Sequence, residues 1–156
     1  ALYAEWGGPP QASVPLRTGE GSVQIIVGQG KAPSPPQPLD DMVLLGNGAE
    51  LLGSGGDARP WQLWWRAPDG SVAENYTLFA HLLDANGGRV AQADVPTYGT
   101  TYWRAGDLVV SYFSLDGEGS TVRTGMYGAQ SVAPVQVLDI AGNPTGEWID
   151  FPHAGP

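Results

Sequence analysis

The clearest pattern along the chain lies at residues 76–83, YTLFAHLL, which are apolar at nearly every position. Because side chains leave a β-strand on opposite faces with period two, both faces of such a strand are largely apolar. Residues 84–88, DANGG, tolerate positive φ, and residues 89–95 then return with polar Arg89 and Gln92 among apolar positions. This stretch predicts a β-hairpin whose first strand is buried on both sides.

Short strand patterns separated by turn clusters occupy most of the remaining chain. No segment carries apolar positions at helical spacing over three turns. The pattern therefore predicts an all-β fold, a two-sheet antiparallel β-sandwich of the immunoglobulin-like or jelly-roll type, with about nine strands and very little helix. Besides the hairpin, strands are expected at residues 22–27, 42–45, 49–52, 61–67, 107–114, 121–127, 132–140 and 147–151.

The doubly apolar strands are expected to be central in their sheets, because a strand with neighbours on both sides and layers on both faces excludes water best. These are residues 76–83 and 108–113. The predicted core residues are Trp65, Phe79, Leu82, Val109 and Tyr112.

The 156 residues suit one compact domain with two parts. Residues 1–38 are expected to form an N-terminal arm with one or two strands, one of them near Val14, followed by a strap with four prolines between Pro33 and Pro38. Residues 39–156 are expected to form the sandwich.

Charge and composition exclude several function classes. The net charge is −9, and Lys31 is the only lysine, so nucleic acids and anionic membrane surfaces are poor partners. The longest apolar runs fall far short of the roughly 20 residues that cross a bilayer, so no membrane insertion is expected. Cysteine is absent, which rules out disulfides and thiolate zinc sites.

No motif points to catalysis. His81 beside Asp84 resembles half of an acid–base pair, and Asp84, Asn86 and Asp94 carry oxygen ligands, but structural and turn roles explain these residues without a reaction or a calcium ion. His153 is also expected to be structural. The chain has no G-x-S-x-G motif and no phosphate-binding glycine loop followed by lysine. We therefore expect no enzymatic activity, no metal site and no cofactor.

Aromatic residues are the strongest lead to a ligand. The chain has six tryptophans and six tyrosines, and an exposed aromatic ring offers a flat apolar face for stacking on a sugar. Trp64, which alternates with Trp61 and Trp65, is the first candidate for carbohydrate binding. Tyr98, Tyr102 and Trp103 follow the central hairpin and are further candidates. The competing interpretation is that all of these rings pack inside the sandwich.

Several of these segments together resemble a known domain family. The resemblance rests on Trp65-Arg66-Ala67, on the hairpin sequence YTLFAHLLDANGGRVAQAD, on Pro96 and Gly99, on residues 103–107 (WRAGD) and on residues 125–127 (GMY). In these segments residues 40–151 resemble a β-sandwich domain at the C-terminal end of bacterial membrane glycosyltransferases of the protein O-mannosyltransferase type, which also recurs in other bacterial surface proteins. Val132-Ala133-Pro134 departs from the Arg-Leu-Pro that is usual in the family.

The resemblance implies a non-catalytic accessory domain of a larger extracytoplasmic or cell-surface protein. Its implied partners are neighbouring domains of the same polypeptide or other proteins, with a structural or protein-interaction role. The alternative is a carbohydrate-binding module that contacts glycans through exposed aromatics. Fold does not fix function, so both roles stand as expectations.

Overall fold

The computed structural model describes residues 4–5, 21–26, 28–29, 34–55, 60–96 and 99–153. These ranges contain thirteen strands and a single-turn 3₁₀ helix at Thr100–Tyr102. The strands are β1 (Ala4–Glu5), β2 (Gly21–Ile26), β3 (Gly28–Gln29), β4 (Gln37–Leu45), β5 (Glu50–Ser54), β6 (Trp61–Arg66), β7 (Tyr76–Leu83), β8 (Arg89–Pro96), β9 (Leu108–Phe113), β10 (Thr121–Gly128), β11 (Val137–Leu138), β12 (Pro144–Gly146) and β13 (Ile149–Pro152).

Two antiparallel sheets make up the domain. The smaller has the order β13-β10-β7-β8, and the larger has the order β12-β11-β4-β5-β6-β9-β2. Strands β1 and β3 pair in parallel as a separate two-stranded ladder. The predicted all-β, two-sheet antiparallel sandwich is confirmed. The strand number exceeds the predicted nine because short pairings such as β11 with β12 extend the edges.

The central hairpin forms where its sequence predicts it. Asp84 Oδ1 accepts hydrogen bonds from the backbone N–H groups of Asn86 and Gly88, both at 2.8 Å, and Gly87 has φ 80°. Strand β7 lies between β10 and β8, and β9 lies between β6 and β2. Both strands that were expected to be interior therefore have neighbours on each side.

The core lies between the inner faces of the two sheets. Trp65 and Val109 from the larger sheet are fully buried, and so are Leu78, Leu82 and Met126 from the smaller one. Burying one large apolar side chain contributes about 1.5–3 kcal/mol. The core predictions for Trp65, Leu82 and Val109 are thus confirmed.

Phe79 and Tyr112 are not core residues, which corrects two predictions. Both are half-buried. Phe79 alternates with Leu78 and Ala80, which point inward and are fully buried, so period two turns its ring to the outer face of the smaller sheet. Tyr112 likewise alternates with inward-facing Phe113 and points away from the core.

The predicted arm contributes directly to the sandwich. Strand β2 pairs along its whole length with β9, from Gly21 opposite Phe113 to Ile26 opposite Leu108. The end of the proline strap is also ordered, because Pro35 is buried and β4 begins at Gln37. The strand expected near Val14 lies outside the described residues.

Candidate functional site

Two of the aromatic residues predicted to stack on sugars are fully or partly covered by the fold. Trp103 is 7% exposed and packs in the hydrophobic core, so it is not available for stacking. Trp64 is half-buried, stands opposite Val110 in the strand register, and donates a hydrogen bond from Nε1 to Gln62 Oε1 at 3.4 Å. Its ring offers only part of its surface to a ligand.

Tyr102 meets the requirement for an exposed ring. Its side chain is 69% exposed at the end of the 3₁₀ turn, where its backbone N–H donates to Gly99 O at 2.8 Å. Tyr98, the fourth predicted residue, lies outside the described residues. The structure therefore leaves Tyr102 as the one predicted stacking residue in the described part of the chain that is largely exposed.

The outer face of the smaller sheet carries a second, larger set of aromatic side chains. We call the group of Phe79, His81, Arg123, Tyr127 and Trp148 the aromatic face. Four members come from the neighbouring strands β7 and β10, where the register sets His81 opposite Arg123 and Tyr127 opposite Thr77, and Trp148 directly precedes β13. Period two places these side chains on one side of the sheet, opposite to the core.

Three rings of the aromatic face, those of Phe79, His81 and Tyr127, lie close together. The Phe79 ring centroid is 4.9 Å from that of His81 at an interplanar angle of 35°, and 6.3 Å from that of Tyr127 at 28°. Gly125 makes this arrangement possible. A Cβ atom at Gly125 would approach Cε1 and Cζ of Phe79 to 2.9 Å, so the missing side chain leaves the space that the ring fills.

Arg123 connects the rings to the edge strand. Its Nε and Nη2 atoms donate to Asp150 Oδ1 and Oδ2, each at 2.8 Å. Its Cζ atom lies 4.6 Å from the centroid of the Trp148 ring, a cation–π contact. Trp148 is 48% exposed. The guanidinium is thus held in place by a carboxylate and an indole together.

The pKa values of two side chains on the aromatic face are shifted so that the neutral form of each is favoured. Burial lowers the pKa of His81, the positive charges of Arg89 and Arg123 lower it further, and Asp94 opposes them. Burial also raises the pKa of Tyr127, and the negative charge of Asp94 adds to this shift. Both changes favour an uncharged imidazole and an uncharged phenol at neutral pH.

Sequence reasoning missed most of this face. Phe79 and His81 share a face by period two, a signal visible in the sequence. Arg123, Tyr127 and Trp148 join them only through the pairing of β7 with β10 and of β10 with β13, which the sequence alone does not give.

A cavity of about 340 Å³ opens at one end of the sandwich. It is lined by Pro60, Trp61, Phe113, Ser114, Leu115, Asp116 and His153. Trp61 and Phe113 are 5% and 0% exposed, since they form part of an aromatic core cluster with ring centroids 6.1 Å apart. The cavity thus borders the core and offers little of these two rings to a ligand.

Within the described ranges, no three His, Asp or Glu side chains converge in a way that could hold a metal ion. Asp84, one of the oxygen ligands considered from the sequence, serves the hairpin turn. Nor does any helix in the part of the chain that the structure describes have the length and apolarity to cross a membrane.

Comparison of the chain with known protein families, curated proteins and solved structures gives no match. The family resemblance of residues 40–151 therefore stays a prediction. The functional argument rests on the geometry of the chain itself.

Proposed function

We propose that this chain is a non-catalytic accessory β-sandwich domain of a larger extracytoplasmic protein, and that it docks a neighbouring folded domain on its aromatic face. The observation that carries the proposal is the row of half-buried, closely spaced rings on the outer side of the smaller sheet, bordered by Arg123 and the 48% exposed Trp148. The extracytoplasmic location is an expectation from the family resemblance.

The residue types of the aromatic face favour a protein partner. Tryptophan, tyrosine and arginine are the side chains that most often dominate the binding energy of protein interfaces. Arg123 is already aligned by Asp150, so little side-chain entropy is lost when a partner covers it. Half-buried rings with a polar rim match the layout of an interface centre and its border.

The size of the face favours a tethered partner. Four strands, with a longest strand of eight residues, give a sheet surface on the order of 400 Å². Stable complexes between separate proteins bury about 800 Å² on each side. A neighbouring domain in the same polypeptide is present at a high effective concentration, so a smaller interface suffices.

Site-specific photocrosslinking tests the proposal. A benzophenone amino acid replaces Trp148 in the protein produced in its own cells, and mass spectrometry identifies the crosslinked segment. We expect one defined segment of a folded domain, and we expect Trp148→Ala to weaken association of this chain with that purified domain by about tenfold or more.

Met42 provides the matched control, because it is 51% exposed on the larger sheet. The same photocrosslinker at Met42 is expected to give no such product. Equal products from both positions, or a purified domain that binds Trp148→Ala as well as the unmodified chain, would contradict docking on the aromatic face.

A carbohydrate-binding role is the second candidate function. The observation that favours it is the 69% exposure of Tyr102. This role uses a different part of the molecule from the aromatic face, so the two functions are separable by mutation.

A further inference from the structure

Three loops meet beside Tyr102 at one end of the sandwich. We call residues 74–75, 99–102 and 129–131 the loop end. Thr101 donates to Asn75 Oδ1 from both its backbone N–H, at 3.3 Å, and its hydroxyl, at 3.1 Å. The backbone N–H of Ala129 donates to Asn75 O at 2.8 Å. Asn75 therefore joins the other two loops to its own.

A second set of hydrogen bonds fixes the base of the loop end. The fully buried Thr100 hydroxyl donates to Glu74 O at 3.0 Å and accepts from the backbone N–H of Tyr76 at 3.0 Å. The Ser131 hydroxyl donates to Glu74 Oε1 at 3.1 Å. The loops are held by side-chain contacts between residues distant in sequence, so the loop end is preorganised for a ligand.

The Tyr102 ring and the Asn75 carboxamide both lie close to Gly99. A Cβ atom at Gly99 would lie 2.8 Å from Asn75 Oδ1 and 3.1 Å from Cδ2 of Tyr102. The glycine lets the ring and the amide approach one another over the backbone. An exposed aromatic surface thus stands directly beside an exposed amide.

We propose that the loop end binds a neutral oligosaccharide. The Tyr102 ring stacks on the C–H face of one sugar unit. The NH₂ group of Asn75, whose Oδ1 accepts hydrogen bonds from Thr101, donates to a sugar hydroxyl.

Electrostatics selects neutral sugars over acidic ones. The whole chain carries a net charge of −9, and the Glu74 carboxylate lies in the adjoining loop, where it accepts from the Ser131 hydroxyl. A sialylated or uronate glycan would bring further negative charge to this strongly acidic molecule. Like charges in proximity disfavour binding.

A glycan array tests the proposal with the 156-residue chain as the probe. The array carries neutral hexose and N-acetylhexosamine oligosaccharides together with sialylated ones. The strongest neutral ligand is then titrated by calorimetry against the unmodified chain and each variant, with circular dichroism to verify that every variant is folded.

Four variants separate the contributions. Tyr102→Ala removes the ring and is expected to weaken binding about tenfold or more. Tyr102→Phe keeps the stacking surface and should stay within about threefold of the unmodified chain. Asn75→Asp keeps the acceptor for Thr101 but loses the NH₂ donor and adds charge, so it should weaken binding. Trp148→Ala on the aromatic face should leave sugar affinity unchanged.

The outcomes that overturn the proposal are equally definite. They are the absence of binding to every neutral oligosaccharide, equal or tighter binding of sialylated ones, and neutral-sugar binding that Tyr102→Ala leaves intact. Loss of sugar binding in Trp148→Ala alone would place the sugar on the aromatic face and overturn the loop-end site, while domain docking is tested separately by crosslinking at Trp148. The two proposals can therefore fail independently.

Discussion

The two faces of strand β7 are both largely apolar in sequence, yet they have different environments in the fold. On the inner face Leu78, Ala80 and Leu82 are each 0% exposed. On the outer face Phe79 and His81, from the same strand, are half-buried, with their ring centroids 4.9 Å apart. One strand therefore serves the core with one set of alternate residues and a surface with the other.

The difference lies in what each face packs against. The inner face meets the larger sheet, where dense packing excludes water. The outer face is partly covered by its own cross-strand neighbours, and the aromatic rings shield each other. The half-buried rings of the outer face stabilise the sheet modestly through cross-strand pairs. Their exposed parts remain available for contact with a partner.

The largest expected effect is on the free energy of unfolding, when an inward-facing and an outward-facing side chain of β7 are each truncated to alanine. Leu82→Ala should lower the free energy of unfolding by about 2–5 kcal/mol, because it leaves a cavity in the core. Phe79→Ala should cost about 1–2 kcal/mol, since its ring is only half-buried and contributes mainly cross-strand contacts. Urea unfolding of both variants measures the difference.

Equal losses in the two variants would mean that the outer face is as fully packed as the core. The two faces would then not differ in packing, and the aromatic face would not be open to a partner. Leu82→Met, which nearly conserves volume, is the control and should cost less than about 1.5 kcal/mol.

The next largest effect concerns the fit of Phe79 over Gly125. Gly125→Ala should be destabilising, because its Cβ would meet the Phe79 ring at 2.9 Å and the backbone oxygen of Glu147 at 3.0 Å. Repeated in a Phe79→Ala background, the same change should cost less. A double-mutant cycle should give a coupling energy of about 0.5–3 kcal/mol between these contacting residues. Additive losses would show that the ring does not depend on Gly125.

The fold class follows from local signals, which explains why it could be predicted. Alternating apolar positions, glycine-rich turns and the absence of helical spacing are all properties of short segments. The hairpin at Asp84 is an example, because the side chain that stabilises the turn lies within it. Trp65, Leu82 and Val109 were correctly assigned to the core for the same reason.

Tyr102 was named from the sequence, but most of the contacts in the two candidate sites depend on long-range register and could not be predicted. Arg123 meets Asp150 only because β10 pairs with β13, and Thr101 meets Asn75 across 26 positions. Trp103 and Tyr102 are adjacent in sequence, yet one is 7% and the other 69% exposed. Hydrophobicity does not distinguish them, because the end of the 3₁₀ turn decides which ring faces inward.

A smaller effect is expected from the ion pair on the aromatic face. Arg123→Lys removes the bidentate geometry with Asp150 and the planar contact with Trp148. The pair is 32% and 41% exposed, so the loss should be about 1 kcal/mol or less. Arg66→Lys is the matched control, because Arg66 pairs with Glu50 on the larger sheet through one 2.6 Å contact. A larger loss at Arg66 than at Arg123 would contradict a role for Trp148 in holding the guanidinium.

The smallest effect is a pH dependence that belongs to the outer face. The pKa of His81 in the folded chain is lowered from its ordinary value of 6.5, first by burial and then by Arg89 and Arg123. The unfolded chain therefore binds the proton more readily than the folded one. Stability from the neutral imidazole is fully present above pH 6.5 and falls as the pH drops through 6.5 towards the lowered pKa.

His81→Phe isolates the contribution of His81 titration to stability, because the variant keeps a ring against Phe79 but cannot bind a proton there. The unfolding free energies of the unmodified chain and of His81→Phe are compared from pH 7.5 to pH 5, so that the carboxylates common to both cancel. We expect the difference to shift in favour of the variant as the pH falls. A constant difference would mean that His81 titrates alike in both states, and the opposite slope would mean that Asp94, rather than burial and the two arginines, controls its proton.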